Sequence, residues 1–193
     1  LMKKILISFI LACNIWLWAI EMHPLDDAKM NYTQIFFSWS QIPNATSYQL
    51  NLQNTISQEE FQYNLTSNSI LITENINWDS NYNWSVCGSI DNNEPICSDI
   101  RTFTINPLAD YFPTNINLTN YNENLSQDGI TIMDFESLNC SGGLDRNGYP
   151  IWFADKENFY ERFVFTQFLN NGNLVGFGPG KGYEIDIDGN IIF

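Results

Sequence analysis

Cationic side chains and histidine are what this chain has least of. It carries 8 Lys and Arg against 22 Asp and Glu, a formal net charge of −14, and one histidine, His23. So few cations exclude a nucleic-acid binder, which needs basic patches to neutralise phosphates. One histidine at the edge of the N-terminal apolar segment leaves no Ser/His/Asp set, and no Gly-rich phosphate loop or working carboxylate pair is present either. Cysteine is scarce too: Cys13, Cys87, Cys97 and Cys140. No histidine or further cysteine lies near any of them at metal-ligand spacing. The longest apolar run, Ile5 to Ile20, is about 16 residues, short of the roughly 20 a spanning helix wants. No helical periodicity of any length appears beyond that run.

What is present at the N-terminus reads as an export signal over residues 1–22. Met2-Lys3-Lys4 supplies a basic start, and Ile5 to Ala12 a short apolar core. Two cleavage sites compete. Ile10-Leu11-Ala12-Cys13 has the form of a lipobox, which would make Cys13 a lipidated first residue and the only tie to a membrane. Cleavage after Ala19 is the plainer site, because Ile15 to Ile20 is apolar where polar residues follow a lipidated cysteine. Without Lys3 and Lys4 the acidic excess grows, which serves solubility. Asn-X-Ser/Thr triplets such as Asn44-Ala45-Thr46 follow from the abundance of asparagine and are not read as glycosylation.

The residues are 44% hydrophobic and 15% aromatic, enough for real cores. From residue 30 to 106 the pattern has period 2. Ile35, Phe37 and Trp39 alternate with polar neighbours, then Tyr48, Leu50 and Leu52, then Phe61, Tyr63 and Leu65. Ile70 to Ile72 is a short strand. Tyr82, Trp84 and Val86 follow, and Arg101, Phe103 and Ile105 close the series. Strands at this spacing predict a sandwich of about seven. Its aromatics fall on the alternating apolar face and are therefore core residues. Cys87 and Cys97 flank the expected hairpin between the last two strands, and in an oxidising compartment they form a cross-strand disulfide. Cys140 is left over, as a buried thiol or a half of a pair whose other half lies elsewhere.

Ser38-Trp39, Ala45-Thr46-Ser47-Tyr48, and Ile76 six residues before Tyr82-Asn83-Trp84-Ser85-Val86 make this region resemble a fibronectin type III domain over about eighty residues. The resemblance implies that Tyr82 is a tyrosine-corner residue, with its hydroxyl bonded to upstream backbone.

The last fifty residues say one thing twice. Leu144-Asp145-Arg146-Asn147-Gly148 runs into Ile151-Trp152-Phe153, and Ile185-Asp186-Ile187-Asp188-Gly189-Asn190 runs into Ile191-Ile192-Phe193. An Asn-Gly or Asp-Gly pair between apolar runs predicts a hairpin with a two-residue type I′ turn. Asp145 and Asp186 stand 41 residues apart. Between the copies a further hairpin turns at Asn170-Asn171-Gly172-Asn173. About four strands per repeat of this length is the pattern of β-propeller blades. Asp186, Asp188 and Asn190 around Gly189 also invite a Ca²⁺ loop, but tight-turn chemistry accounts for them and no metal is assigned.

The ordered set, Gly143-Leu144-Asp145-Arg146-Asn147-Gly148 with Ile151-Trp152-Phe153, Phe168-Leu169-Asn170-Asn171-Gly172-Asn173-Leu174, and Gly182-Tyr183-Glu184-Ile185-Asp186-Ile187-Asp188-Gly189-Asn190, resembles the opening of the bacterial arylsulfotransferase family over about the last 65 residues. The resemblance implies a propeller enzyme of the periplasm that moves a sulfuryl group from an aryl sulfate donor to a phenol acceptor through a histidine nucleophile. His23 lies outside the repeat, and of the cationic Arg146 and Arg162 the first lies inside a hairpin turn, where exposure is expected. No catalytic, cofactor or metal residue is carried over.

The expectation is an all-β chain: signal peptide 1–22, fibronectin type III-like β-sandwich 23–106, linker 107–128, and the first blade or blades of an incomplete β-propeller over 129–193. A propeller needs at least about four blades to close, so the chain reads as the front of a longer exported sulfotransferase, inactive by itself. The alternative is a secreted or surface-attached adhesion or carbohydrate-binding protein with the propeller as scaffold.

Overall fold

The computed structural model describes residues 21–91, 93–116, 122 and 129–193. The rest of the expected signal, Cys13 within it, and most of residues 117–128 lie outside these. The fold is all-β apart from two short 3-10 turns, Glu136–Leu138 and Lys156–Phe159. No helix among the described residues is long and apolar enough to cross a membrane.

Nine strands build the N-terminal part: β1 (Met22–His23), β2 (Ala28–Met30), β3 (Ile35–Trp39), β4 (Ala45–Asn54), β5 (Glu60–Leu65), β6 (Ser69–Ile72), β7 (Ser80–Ile90), β8 (Ile96–Cys97) and β9 (Arg101–Ile105). They form two facing sheets, one ordered β1-β3-β6 and the other β2-β9-β7-β4-β5, with β8 beside β7. Met22, at the end of the span read as signal, is buried and pairs with Trp39. The segment from Pro24 to Asn31, which the sequence marks poorly, holds β2, and β2 runs parallel to β9.

The alternation seen in the sequence is what drives the layers together. A strand points successive side chains to opposite faces, so Phe37, Leu50, Leu52, Tyr82, Trp84 and Val86 enter one core. Phe37 meets Trp84 edge-on at 5.0 Å, and Tyr82 stacks on Phe103 at 5.0 Å. The Tyr82 hydroxyl accepts from the Asn77 amide at 2.8 Å and from the Asn54 side chain at 3.3 Å, and donates to the Asn75 carbonyl at 3.4 Å. That pins the loop before β7 to the core.

Two antiparallel meanders follow. The first is β10 (Thr131–Phe135), β11 (Cys140–Leu144) and β12 (Pro150–Phe153); the second is β13 (Val164–Phe168), β14 (Leu174–Gly178) and β15 (Lys181–Ile185). Every residue of β11 and β12 is buried, as expected of strands covered on both faces. Phe112, Cys140 and Phe153 pack on one side of this meander. Trp152, Phe159, Phe163, Leu174, Tyr183 and Ile185 pack on the other. Phe112 comes from the span expected to be a linker, and its ring meets Phe135 at 4.9 Å and Phe153 at 5.7 Å. Residues 107–116 are thus partly built into the core. Asp134 and the fully buried Ser141 tie the meanders together: the two side chains hydrogen-bond, and Phe165 N–H donates to Ser141 Oγ at 2.8 Å and to Asp134 Oδ1 at 3.0 Å.

The turns differ from expectation. In the Asp145 turn only Gly148 has positive φ, 85°, and in the Asp186 turn only Gly189, 84°. Gly148 N–H donates to Asp145 O at 3.1 Å, and Asp145 N–H to Tyr149 O at 2.9 Å. The pattern is a type I turn closed by a left-handed glycine, one residue longer than type I′. Leu169 to Asn173 repeats it, with Gly172 at 88°. The aspartates explain the choice. Asp145 Oδ1 accepts from the amides of Asn147 and Tyr149, both at 2.8 Å, which holds the first turn residues right-handed. The Asp145 turn joins the second and third strands of its meander, whereas the Asp186 turn follows the third strand of its own and returns the chain to a bridge between Ile191 and Ile185. The sequence repeat is therefore one strand out of step with the sheets.

Candidate functional site

A groove of about 680 Å³ lies where the sandwich meets the first meander. One wall is the outer face of the β1-β3-β6 sheet. There the cross-strand pair Phe36 and Leu71 is exposed, with Leu25 beside it. The opposite wall holds Ile130, Ile151 and Ile187.

Backbone joins the two walls at the base. Tyr32 bridges Trp152, and Thr33 N–H donates to Ile151 O at 2.9 Å. The segment between β2 and β3 thereby adds itself to the free edge of β12, satisfying groups that an open edge would leave unpaired. Side chains reinforce the joint. Trp78 Nε1 donates to Pro150 O at 3.1 Å, Trp152 Nε1 to Ile187 O at 2.8 Å, and Asn31 Nδ2 to Asp188 O at 3.2 Å. Trp78 also meets the Phe153 ring at 5.6 Å.

Asp188 and Tyr32 supply the polar floor. Burial, reinforced by the neighbouring Asp186 charge, pushes the Asp188 carboxyl above the usual range, and its hydrogen bond with Tyr32 pulls the other way. Burial likewise pushes the Tyr32 phenol up, with the Asp188 charge adding to it. Asp188 Oδ1 is buried without a hydrogen-bond partner. The Tyr32 phenol holds its proton more tightly than a free tyrosine does. No protein-family model matches the chain, and no curated protein matches it.

The remaining residues singled out in the sequence fall elsewhere. Cys87 and Cys97 are paired across β7 and β8, with their sulfurs 2.04 Å apart. Cys140 is buried and free, its thiol pushed up to about 11 by burial. His23 lies on the rim of the groove, in β1. Arg146 is half-buried rather than exposed, and Arg162 lies 6.0 Å from the Phe177 ring. Asp186 spends its carboxylate on Asn190, accepting from the amide N–H at 2.8 Å and the side chain at 2.9 Å, and no cluster of metal ligands occurs among the described residues. Sequence reasoning missed the pairing of Tyr32 with Asp188, which are far apart in the chain and carry no shared pattern. It also passed over a stripe that was legible: Gln49, Asn51 and Gln53, then Gln62 and Asn64, at strand period.

Proposed function

We propose that this chain belongs to an exported aryl-sulfate sulfotransferase, to which it contributes a fibronectin type III-like sandwich and blade-type sheets of a propeller. The observation that carries the reading is the ordered motif set. Each of its three Gly-containing segments forms a turn of the same construction, at Asp145, Leu169 and Asp186. The two meanders they belong to pack face to face through Asp134 and Ser141, as successive blades do. The sheet orders of the sandwich and the Tyr82 anchor support the fibronectin type III part. Sulfuryl transfer falls to a histidine outside this chain, because the one histidine, His23, stands in β1, outside the repeat that carries the resemblance.

The test is an assay of the product of the whole gene with 4-nitrophenyl sulfate as donor and a phenol as acceptor, without any nucleotide sulfate. Transfer by the whole product and none by residues 21–193 is the expected result. A whole product without transfer, or active residues 21–193, overturns the reading.

A further inference from the structure

The outer face of the β5-β4-β7 sheet has an unusual chemistry. Register places Gln62 opposite Asn51 and Asn51 opposite Ser85, and in the next rung Glu60 opposite Gln53 and Gln53 opposite Asn83. Their alternates in β4 and β7, Leu50, Leu52, Trp84 and Val86, fill the core, so these side chains all leave from the solvent side. They line a depression of about 250 Å³. Ile100, which is 68% exposed, stands at its edge.

An outer sheet face is ordinarily dotted with Lys, Arg, Asp and Glu. This chain has 22 acidic residues, yet Glu60 is the one charged residue lining the depression, and its Oε1 accepts from Gln53 Nε2 at 3.2 Å. Asn51, Gln62, Asn83 and Ser85 remain. An amide carries both donors and an acceptor, and a hydroxyl carries one of each. The face thus sets donors and acceptors side by side, with Glu60 as the one charge among the residues that line it. Phosphate polymers and uronate polymers find no cation among those residues. A sugar hydroxyl, which also donates and accepts at once, matches it, and Ile100 offers an apolar edge to the C–H face of a ring.

We infer that this face is a binding site for a neutral polysaccharide, held by Asn51, Gln62, Asn83 and Ser85. The site is independent of the sulfuryl-transfer reading, since it uses the sandwich alone and needs no catalysis.

Affinity electrophoresis of the full chain tests it, in native gels containing soluble starch, hydroxyethylcellulose, xylan or galactomannan, with alginate as the charged comparison. The expected result is retardation by at least one neutral polymer and none by alginate. Removing an amide that makes a neutral hydrogen bond weakens binding by about fivefold, so the Asn51→Ala, Asn83→Ala double variant loses the retardation. Gln167→Ala, on an exposed position of β13, keeps it. No retardation in any neutral polymer, equal retardation in alginate, or a double variant that runs like the parent overturns the proposal.

Discussion

Two buried tyrosines of the sandwich give a sharp test of what holds it together. Tyr82 is 0% exposed and Tyr48 4% exposed, and both rings lie in the same core. Their hydroxyls are in opposite situations. That of Tyr82 takes part in three hydrogen bonds, with Asn77 N–H, Asn54 Nδ2 and Asn75 O. That of Tyr48 is buried with no partner. Tyr82→Phe keeps the stack on Phe103 but strands the side-chain amide of Asn54, a residue 2% exposed. Leaving a buried donor unsatisfied costs about 1–3 kcal/mol, and with the other two bonds lost the sum is about 2–3 kcal/mol. Tyr48→Phe removes an oxygen that already bears its desolvation cost, so it is neutral or stabilising by up to about 1 kcal/mol. Urea unfolding of the full chain, followed by Trp fluorescence, reads both. With an m-value of about 1–3 kcal/mol/M, the Tyr82→Phe midpoint falls by about 1–2 M and that of Tyr48→Phe stays or rises. Equal losses for the two would mean that the aromatic packing, not the hydroxyl anchor, fixes the loop before β7, and the reasoning would fail.

Asp188 sets a pH dependence. Its carboxyl is raised in the folded state above the roughly 3.9 of an unfolded aspartate, so its favourable contribution is present in acid and lost as pH rises through the folded value. Asp188→Asn should therefore stabilise the chain near pH 7 and make no difference near pH 3, read as urea midpoints at both; an equal effect at the two would refute the assignment. Breaking the Cys87–Cys97 bridge, which closes a loop with a sequence separation of 10, should cost about 2–3 kcal/mol by the loop-entropy relation, measured by unfolding with and without reductant and in the Cys87→Ser, Cys97→Ser variant. Residues 21–116 and 129–193 co-expressed as two chains should co-elute as one complex, because Thr33 bonds Ile151 and Trp78 bonds Pro150 across the joint. Elution as two separate species would show that these bonds do not hold the halves together.

The sandwich was legible because its strands β3, β4 and β7 each have one dry face and one wet one. Ile35, Phe37 and Trp39 are all buried, and the intervening Phe36 and Ser38 are not. The strand β2 was not legible: Ala28-Lys29-Met30 is too short to show a period, and its place beside β9 is decided by long-range backbone pairing. β11 and β12 were legible only through the turn between them. Buried on both faces, they carry no alternation to read. The turn type failed for a local reason. Asn-Gly favours type I′ when nothing else competes, but Asp145 stands two positions before the Asn and captures the backbone amides of Asn147 and Tyr149 with its carboxylate. The longer pattern, Asp-x-Asn-Gly, carried that information, and the Asn-Gly pair alone did not.

The groove shows the opposite limit. Its polar floor joins Tyr32 to Asp188, and its walls come from β3, β6 and the loops around β12. No short window of the sequence contains both Tyr32 and Asp188. Yet one element of the joint was visible in kind, if not in place. Asn31 and Asn106 hydrogen-bond each other at 2.9 Å, and Asn31 also reaches the Asp188 carbonyl. An asparagine can donate and accept at once, so a single residue after β2 satisfies both the end of the sandwich and the last turn of the second meander. The abundance of asparagine, which made the glycosylation triplets meaningless, is what lets short irregular segments saturate their buried polar groups without extra secondary structure. By that argument the composition of this chain bears more on its joints than on its strands. The strands are fixed by apolar alternation that many sequences could supply. The contact between the sandwich and the last turn depends on the amide of Asn31, which accepts from Asn106 and donates to the Asp188 carbonyl at once.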